Sequence, residues 1–189
     1  MLTEARVAAS LAGGDLSRAA EEAIRGFGPK ILGLLRAVLR DEDLAADAFS
    51  LFAENLWRGM SSYRGEASVR TWSYRLAWNA ALTVRDEGWR RLGRRLGTTH
   101  AGRLAEDVRT KSALRVERQL QAVAKLRQGL AAEEQALLTL RIDQELAWEE
   151  IAEVLSTGET RVEPATLRKR FERLKEKLGE LARAQGFLE

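Results

Sequence analysis

The chain has 189 residues with 45% hydrophobic content, enough for one or two small cores but too little for a large enzyme scaffold. It has no cysteine, no apolar run of the roughly 18 residues that a membrane span needs, and no signal-peptide pattern at its start. We therefore expect a soluble, cytoplasmic protein without membrane insertion. The net charge of +3 is only mildly basic, so the distribution of charge is more informative than its sum.

That distribution is segregated along the chain. Residues 41–54 hold five acids and no base, whereas residues 64–95 hold eight arginines and residues 161–177 hold seven basic side chains. Either basic block alone is as typical of a solvated helix face as of a binding surface. Two separated blocks together indicate two contacts with a polyanion such as nucleic acid.

With two prolines and almost no clusters of β-branched residues, the first half reads as a series of helices. Gly13 and Gly14 end the first helix, and Pro29 suits the first turn of a third one. Asp47 and Glu54 are predicted to face outward from a fourth helix with an acidic first turn. The predicted helices of this region cover residues 2–11, 16–25, 29 onward, and 43–57.

The stretch RGEASVRTWSYRLAWNAA, residues 64–81, predicts a loop over 61–67 and then a helix with Ser68 as its N-cap. Helical spacing puts Trp72, Leu76, Ala80 and Val84 on an inward stripe. Thr71, Arg75, Asn79 and Thr83 form a polar stripe with Trp78 beside it. An aromatic ring, a guanidinium and a carboxamide on one basic face can stack an unpaired base and read its edge.

Residues 91–111 are predicted to be a linker between a domain at 1–90 and a domain at 112–189, and His100 is expected to be an exposed loop residue without a metal. In the second domain, the periodicity predicts an entry helix carrying Leu114, Leu120, Val123 and Leu126. It then predicts helices over 131–142, 148–155 and 164–181. The last two are read as a helix-turn-helix. Leu167, Phe171, Leu174, Leu178 and Leu181 form the buried stripe of the final helix.

The segment YRGEASVRTWSYRLAWNAAL closely resembles FRGESSFRTWLYRIARNLAL, the signature of extracytoplasmic-function sigma factors of the sigma-70 family. DEDLAADAFSLFAENLW resembles the family's DAEDLVQEVFLRAW, with Ser50 and Leu51 in place of a Gln-Glu pair. The resemblance implies that the acidic helix docks on the clamp helices of core RNA polymerase. It also implies that the loop and the following helix melt and read the promoter minus-ten element, with Tyr63 and Asn79 lining a pocket for a flipped base.

The C-terminal segments EEQALLTLRIDQELAWEEIAEVL and EPATLRKRFERLKEKL resemble the fourth region of the same family, which contacts the minus-thirty-five element. Three departures occur. Ala147 replaces a serine, Glu145 replaces a glycine, and the turn STGETRVEP is several residues longer. The fold class implied is all-α, with two small helical domains joined by a linker and a helix-turn-helix in the second.

The resemblance assigns three groups of site residues. The residues assigned to polymerase binding are Asp43, Asp47, Phe49, Ser50 and Glu54. Those assigned to minus-ten DNA binding are Tyr63, Arg64, Arg70, Thr71, Trp72, Arg75, Trp78 and Asn79. Those assigned to minus-thirty-five DNA binding are Thr166, Arg168, Lys169, Arg170 and Arg173. The implied partners are core RNA polymerase, promoter DNA and an anti-sigma factor; no cofactor, metal or catalytic residue is expected.

Two other classes of protein compete with this interpretation. A helix-turn-helix regulator that binds duplex DNA without polymerase explains residues 112–189, but it leaves the acidic helix and the arginine-aromatic loop without a role. A metal-dependent hydrolase using Asp41, Asp43, Asp47 and Glu54 lacks supporting histidines, cysteines or a phosphate-binding glycine motif. Carboxylates in the first turn of a helix are better explained by the helix dipole.

Overall fold

The computed structural model describes residues 2–85, 100–113, 127, 129–158 and 160–184. The predicted all-α class is confirmed: across these ranges the regular structure is helical, with an isolated β-bridge between Thr157 and Thr160. The chain divides into two compact units, Met1–Leu114 and Arg115–Glu189.

The first unit contains five helices within its described residues. They are α1 (Leu2–Ala12), α2 (Leu16–Leu39), α3 (Glu42–Gly59), α4 (Val69–Arg85) and α5 (His100–Ala113), with a short 3₁₀ turn at Met60–Ser62 between α3 and α4. The second unit has α6 (Ala132–Leu138), which continues as a π-helical turn at Thr139–Asp143, then α7 (Trp148–Leu155) and α8 (Pro164–Ala184).

The core of the first unit lies between α2, α3 and α4, and α1 and α5 pack against this group. The turn between α2 and α3 is set by polar groups. Asp41 caps α3 by accepting a hydrogen bond from the Leu44 amide at 2.9 Å, and Arg40 adopts a left-handed φ of 55° that ends α2. The Arg36 guanidinium bonds both carboxylate oxygens of Glu42 across the turn.

The predicted break between residues 25 and 29 is wrong, because α2 runs through Pro29. A proline inside a helix removes one backbone hydrogen bond, but tertiary packing holds this helix together. A Cβ at Gly28 would lie 3.1 Å from Phe49 and 3.2 Å from Val108. The lack of a side chain at Gly28 therefore leaves room for Phe49 and Val108, and this glycine does not end the helix.

The predicted linker also needs correction. Residues 100–111 belong to α5, which packs on α2 and α3 in the first unit, whereas residues 91–99 lie outside the described residues. The inward face of α5 carries Ala101, Leu104, Ala105 and Val108, all buried. Alanines at two of these four positions made the stripe weakly hydrophobic, which is why the sequence did not reveal it. His100 begins this helix instead of lying in a loop.

In the second unit, the predicted helices over 131–142, 148–155 and 164–181 agree closely with the observed ones, and the predicted entry helix residues 114, 120, 123 and 126 lie outside the described residues. Trp148 packs edge-on against Phe171, with ring centroids 5.5 Å apart. The Arg141 guanidinium also lies against Trp148, 4.6 Å from its ring, and donates to the Leu146 carbonyl at 2.8 Å. These interactions join the π-helical turn, α7 and α8 in one core.

The long turn between α7 and α8 is tied by its own hydrogen bonds. The Ser156 hydroxyl donates to the Ala152 carbonyl at 2.7 Å and accepts from the Val162 amide at 3.0 Å. Thr157 and Thr160 exchange two backbone hydrogen bonds of 3.1 and 2.8 Å. These hydrogen bonds hold the described residues of the turn close to the end of α7.

Candidate nucleic-acid and polymerase interface

Helix α4 buries only part of the predicted inward stripe: Ala80 and Val84 are buried as predicted, whereas Trp72 and Leu76 are partly exposed. Its most deeply buried side chains include Tyr74, Ala77, Trp78 and Ala81, which follow i, i+3, i+4, i+7 spacing. Trp78 is therefore a core residue, not part of a base-binding surface. Thr71 is likewise buried, with its hydroxyl 2.9 Å from that of Ser68. The minus-ten assignments of Trp78 and Thr71 are corrected, because a buried side chain cannot touch DNA while the fold is intact.

The accessible face of α4 begins at Trp72 and continues through Arg75, Leu76 and Asn79. Arg75 is exposed and the other three are partly exposed. Trp72 and Leu76 were predicted to point inward, yet they flank the polar pair Arg75 and Asn79. This face combines a flat aromatic ring, an aliphatic side chain, a cation and a carboxamide, which is the chemistry that stacking on an unpaired base and hydrogen bonding to its edge require.

Tyr63 extends this surface from the preceding loop. Its ring lies 5.1 Å from that of Trp72 at an angle of 40°, and its hydroxyl donates to the Ala67 carbonyl. Gly59 lets the Trp72 ring approach the end of α3, since a Cβ there would lie 3.0 Å from the ring. Arg64 follows Tyr63 and is exposed, and Arg70 in the first turn of α4 is partly exposed. The structure therefore brings Tyr63 and Trp72 together at one end of the accessible face.

The predicted N-cap of α4 is confirmed. The Ser68 hydroxyl accepts from the Thr71 amide at 3.0 Å, and its carbonyl accepts from the Trp72 amide at 2.9 Å. The first turn of α4 contains no acidic residue. Its two earliest amides bond instead to a carboxylate from α1, that of Glu4, which was not among the predicted site residues. No sequence signal links residues so far apart.

On the acidic helix α3, the predicted polymerase-binding residues divide into two sets. Asp43 is exposed, and Asp47 and Ser50 are partly exposed, with the Ser50 hydroxyl donating to the Ala46 carbonyl at 3.0 Å. Phe49 is fully buried, and Glu54 is only 3% exposed. Phe49 is therefore a core residue, and the prediction that Glu54 faces outward is wrong.

The burial of Glu54 follows from the position of α3 in the unit. This helix packs on α2, α4 and α5, so that more than one of its faces is covered. The Glu54 carboxylate lies 3.3 Å from the guanidinium of Arg58 one turn later. Two of the carboxylates considered for a hydrolase have structural roles instead. Asp41 caps α3, and Glu54 is a buried group that pairs with Arg58.

Helix α8 presents the predicted basic face. Its five predicted DNA-binding residues are all exposed: Thr166, Arg168, Lys169, Arg170 and Arg173. Arg168 pairs with Glu149 of α7 at 3.2 Å, and Arg170 approaches Glu133 of α6 at 3.6 Å. The opposite side of α8 buries Leu167, Phe171 and Leu174 as predicted, whereas Leu178 and Leu181 are only partly buried.

Glu134 attaches the middle of α8 to the start of α6. One of its carboxylate oxygens accepts from the Ala131 amide and from the Lys177 ammonium, each at 2.7 Å. Partial burial opposes ionisation of Glu134, but the hydrogen bonds from Lys177 and Ala131 and the lysine charge outweigh it and lower the pKa of this carboxyl. This interaction fixes the position of α8, which carries the basic face, relative to α6.

The comparisons with known proteins identify the family of the chain. The family described as Sigma-70 region 2 matches residues 23–95, which include α3, the loop and α4. The chain is also similar to RNA polymerase sigma factor YlaC of Bacillus subtilis (strain 168), with 30% identity over 135 residues, covering 69% of this chain and 73% of the Bacillus protein. An alignment of that length cannot fit within the first unit, so the similarity extends into the second. The chain belongs to the sigma-70 family of RNA polymerase sigma factors, in its extracytoplasmic-function group.

Among the described helices, none is long and apolar enough to cross a bilayer.

Proposed function

We propose that this sigma factor directs core RNA polymerase to specific promoters and helps to open the DNA there, reading the minus-ten element with α4 and the minus-thirty-five element with α8. The observation that carries the proposal is the accessible face of α4, on which Trp72, Arg75 and Asn79 follow one another and Tyr63 packs at the end. Core polymerase catalyses RNA synthesis, and this chain determines which promoter the polymerase binds. We assign no catalytic residue to this chain.

In the proposed mechanism, Tyr63 and Trp72 receive a base extracted from the non-template strand, and Asn79 hydrogen-bonds its edge. Extraction of a base costs a few kcal/mol, and stacking on an aromatic ring returns about 1–3 kcal/mol. Arg64 and Arg75, both exposed, suit contacts with phosphates beside the opened strand. Recognition and strand opening then depend on the same surface.

Docking on the polymerase is assigned to the accessible side of α3, through Asp43, Asp47 and Ser50. Support comes from the exposure of Asp43 and the partial exposure of the other two. Phe49 and Glu54 do not belong to this set because they are buried.

The family resemblance also suggests an anti-sigma factor that covers one of these surfaces. Co-purification of the tagged protein from its native cells would test for this partner.

The first test is transcription by reconstituted holoenzyme from a library of genomic fragments, with Asn79→Ala compared against Thr83→Ala on the next turn of α4. We expect Asn79→Ala to reduce transcription from the selected promoters about tenfold because one hydrogen bond to a base is removed, and to leave folding intact because its side chain is partly exposed. Equal activity and equal promoter preference in the two variants would refute the role of Asn79.

Core binding is tested separately by pull-down with the Asp43→Arg, Asp47→Arg double variant. Glu180→Arg, an exposed substitution on α8, serves as the control. We expect the double variant to lose most of its binding to core polymerase and the control to retain it. Binding by the double variant as strong as that of the wild type would remove α3 from the docking surface.

A further inference from the structure

The first turn of the proposed minus-ten helix α4 is held by a carboxylate from the other end of the unit. The Val69 amide donates to one oxygen of Glu4 at 2.7 Å, and the Arg70 amide donates to the other at 3.2 Å, across 65 and 66 residues of sequence. Glu4 lies on α1 and is partly buried. A helix that begins at residue 2 therefore determines how α4 begins.

All four leading amides of α4 have partners, and they come from two sources. Ser68 accepts from the amides of Thr71 and Trp72. Glu4 accepts from those of Val69 and Arg70. Because α4 has no acidic residue in its first turn, Glu4 supplies the negative charge that stabilises the positive end of the helix dipole.

Separate contacts fix the position of α1, so that Glu4 reaches α4 in one arrangement. Val7 is fully buried, and the Ser10 hydroxyl donates to the Glu22 carboxylate at 3.0 Å. Thr3 sits against Gly26 of α2 so closely that a Cβ at Gly26 would lie 2.1 Å from the Thr3 methyl group. A side chain at residue 26 would therefore displace Thr3 and, with it, the adjacent Glu4.

We propose that Glu4 is a positioning residue for minus-ten recognition, which fixes the start of α4 and thereby the placement of Trp72 against Tyr63. This inference rests on the proposed function of α4. Glu4 lies outside the matched range 23–95, so α1 adds a support that the region 2 match does not include. Trp72 is only two residues beyond Arg70, so a shift of the first turn moves its ring directly.

The test measures base preference with holoenzyme on a promoter library randomised at the minus-ten element. The ratio of transcripts from preferred and disfavoured sequences does not depend on the fraction of active protein, so a loss of folded material alone would not change it. We expect Glu4→Ala to lower this ratio about tenfold, because a displaced Trp72 ring no longer holds the extracted base in the geometry in which it is read. Glu4→Gln, which keeps an acceptor oxygen, should restore part of the ratio.

Two further variants sharpen the comparison. Glu21→Ala removes a glutamate whose carboxylate pairs with Arg25 at 2.9 Å on α2, and it should leave the ratio unchanged. Gly26→Ala displaces Thr3 and should reproduce the Glu4→Ala defect while Glu4 is intact. Hydrogen exchange in each variant should show faster exchange at the Val69 and Arg70 amides only where the ratio falls.

The outcomes separate this inference from the proposed function. A wild-type holoenzyme without any minus-ten preference would overturn the proposed function, and the role of Glu4 with it. A wild-type preference that Glu4→Ala and Gly26→Ala both retain would overturn the role of Glu4 alone. If Glu4→Ala does not fold, the ratio measured with Glu4→Gln and Gly26→Ala decides the question in the same way.

Discussion

Glu145 carries a side chain at a position where the backbone is left-handed, with φ of 54°. A Cβ in this region crowds the backbone, whereas glycine adopts it freely. The family segment that this part of the chain resembles has a glycine at this position, and glycine would suit the observed φ better than Glu145 does.

We expect Glu145→Gly to stabilise the second unit by about 0.5–1 kcal/mol, after allowance for the greater freedom of glycine in the unfolded chain. Urea denaturation would measure the difference. Glu145→Ala removes the same charge but keeps the unfavourable φ, so it should not be stabilising. A glycine variant no more stable than the alanine variant would show that strain at this residue is negligible.

The Glu134 carboxyl makes stability depend on pH. Its pKa is lowered in the folded protein, so its contribution is fully present above the ordinary value of 4.5 and is lost as the pH falls through the lowered one. Glu134→Gln should therefore be less stable than the wild type at pH 7, by no more than about 1 kcal/mol because the pair is partly exposed.

Denaturation at pH 7 and pH 3 measures this difference, which should shrink at the lower pH. Glu133→Gln is the matched control, since Glu133 is exposed and its carboxylate makes only a 3.6 Å ion pair with Arg170. A constant difference between Glu134→Gln and the wild type across this range would mean that the charge of Glu134 does not contribute.

Helix α5 shows how a segment rich in small residues becomes part of a core. Leu104 is buried within the first unit, whereas the neighbouring Arg103 is exposed. Leu104→Ala should cost about 2–5 kcal/mol of stability, the usual range for a buried leucine, and Arg103→Ala should change little. Faster hydrogen exchange in α2 and α3 of the leucine variant would locate the destabilised region. Similar exchange in both variants would argue against the packing of α5 on these helices.

Helices were predictable from periodicity where one face alone was apolar, as in α7 and α8. The buried face of α4 could not be predicted in this way, because apolar residues occur on two sides of the helix. Trp72 and Leu76 lie on one side, and Tyr74 and Trp78 lie on the other. Both stripes have helical spacing, and only the positions of α2 and α3 decide which is covered. Likewise, Pro29 and the nearby glycines predicted a break in α2, but side chains from α3 and α5 pack against Gly28.

Both units carry basic surfaces, and the proposed function places these surfaces on one promoter. Lys169 and Arg173 are exposed on α8. Replacing both with alanine should reduce the slope of log affinity against log salt concentration by about 2 for the holoenzyme on promoter DNA, because each side chain is expected to neutralise one phosphate.

The control for this salt series is the double variant Lys175→Ala, Arg183→Ala, which removes two charges from the same helix. Lys175 pairs with Glu172 at 2.7 Å, and Arg183 donates to the Gly179 carbonyl at 3.3 Å. We expect its slope to match that of the wild type. Equal reductions in both variants would indicate an effect of total charge instead of a localised interaction with DNA.

The helical class, the family and most helix ends could be predicted from the sequence, since these depend on local propensities, caps such as Ser68, and short motifs. The sequence also placed the basic face of α8 correctly, because one stripe there is clearly apolar. The packing of the helices was needed to find the burial of Phe49, Glu54, Thr71 and Trp78 and the hydrogen bonds between Glu4 and α4. Burial depends on which neighbours cover a helix, and hydrogen bonds that span 65 residues of sequence leave no local pattern.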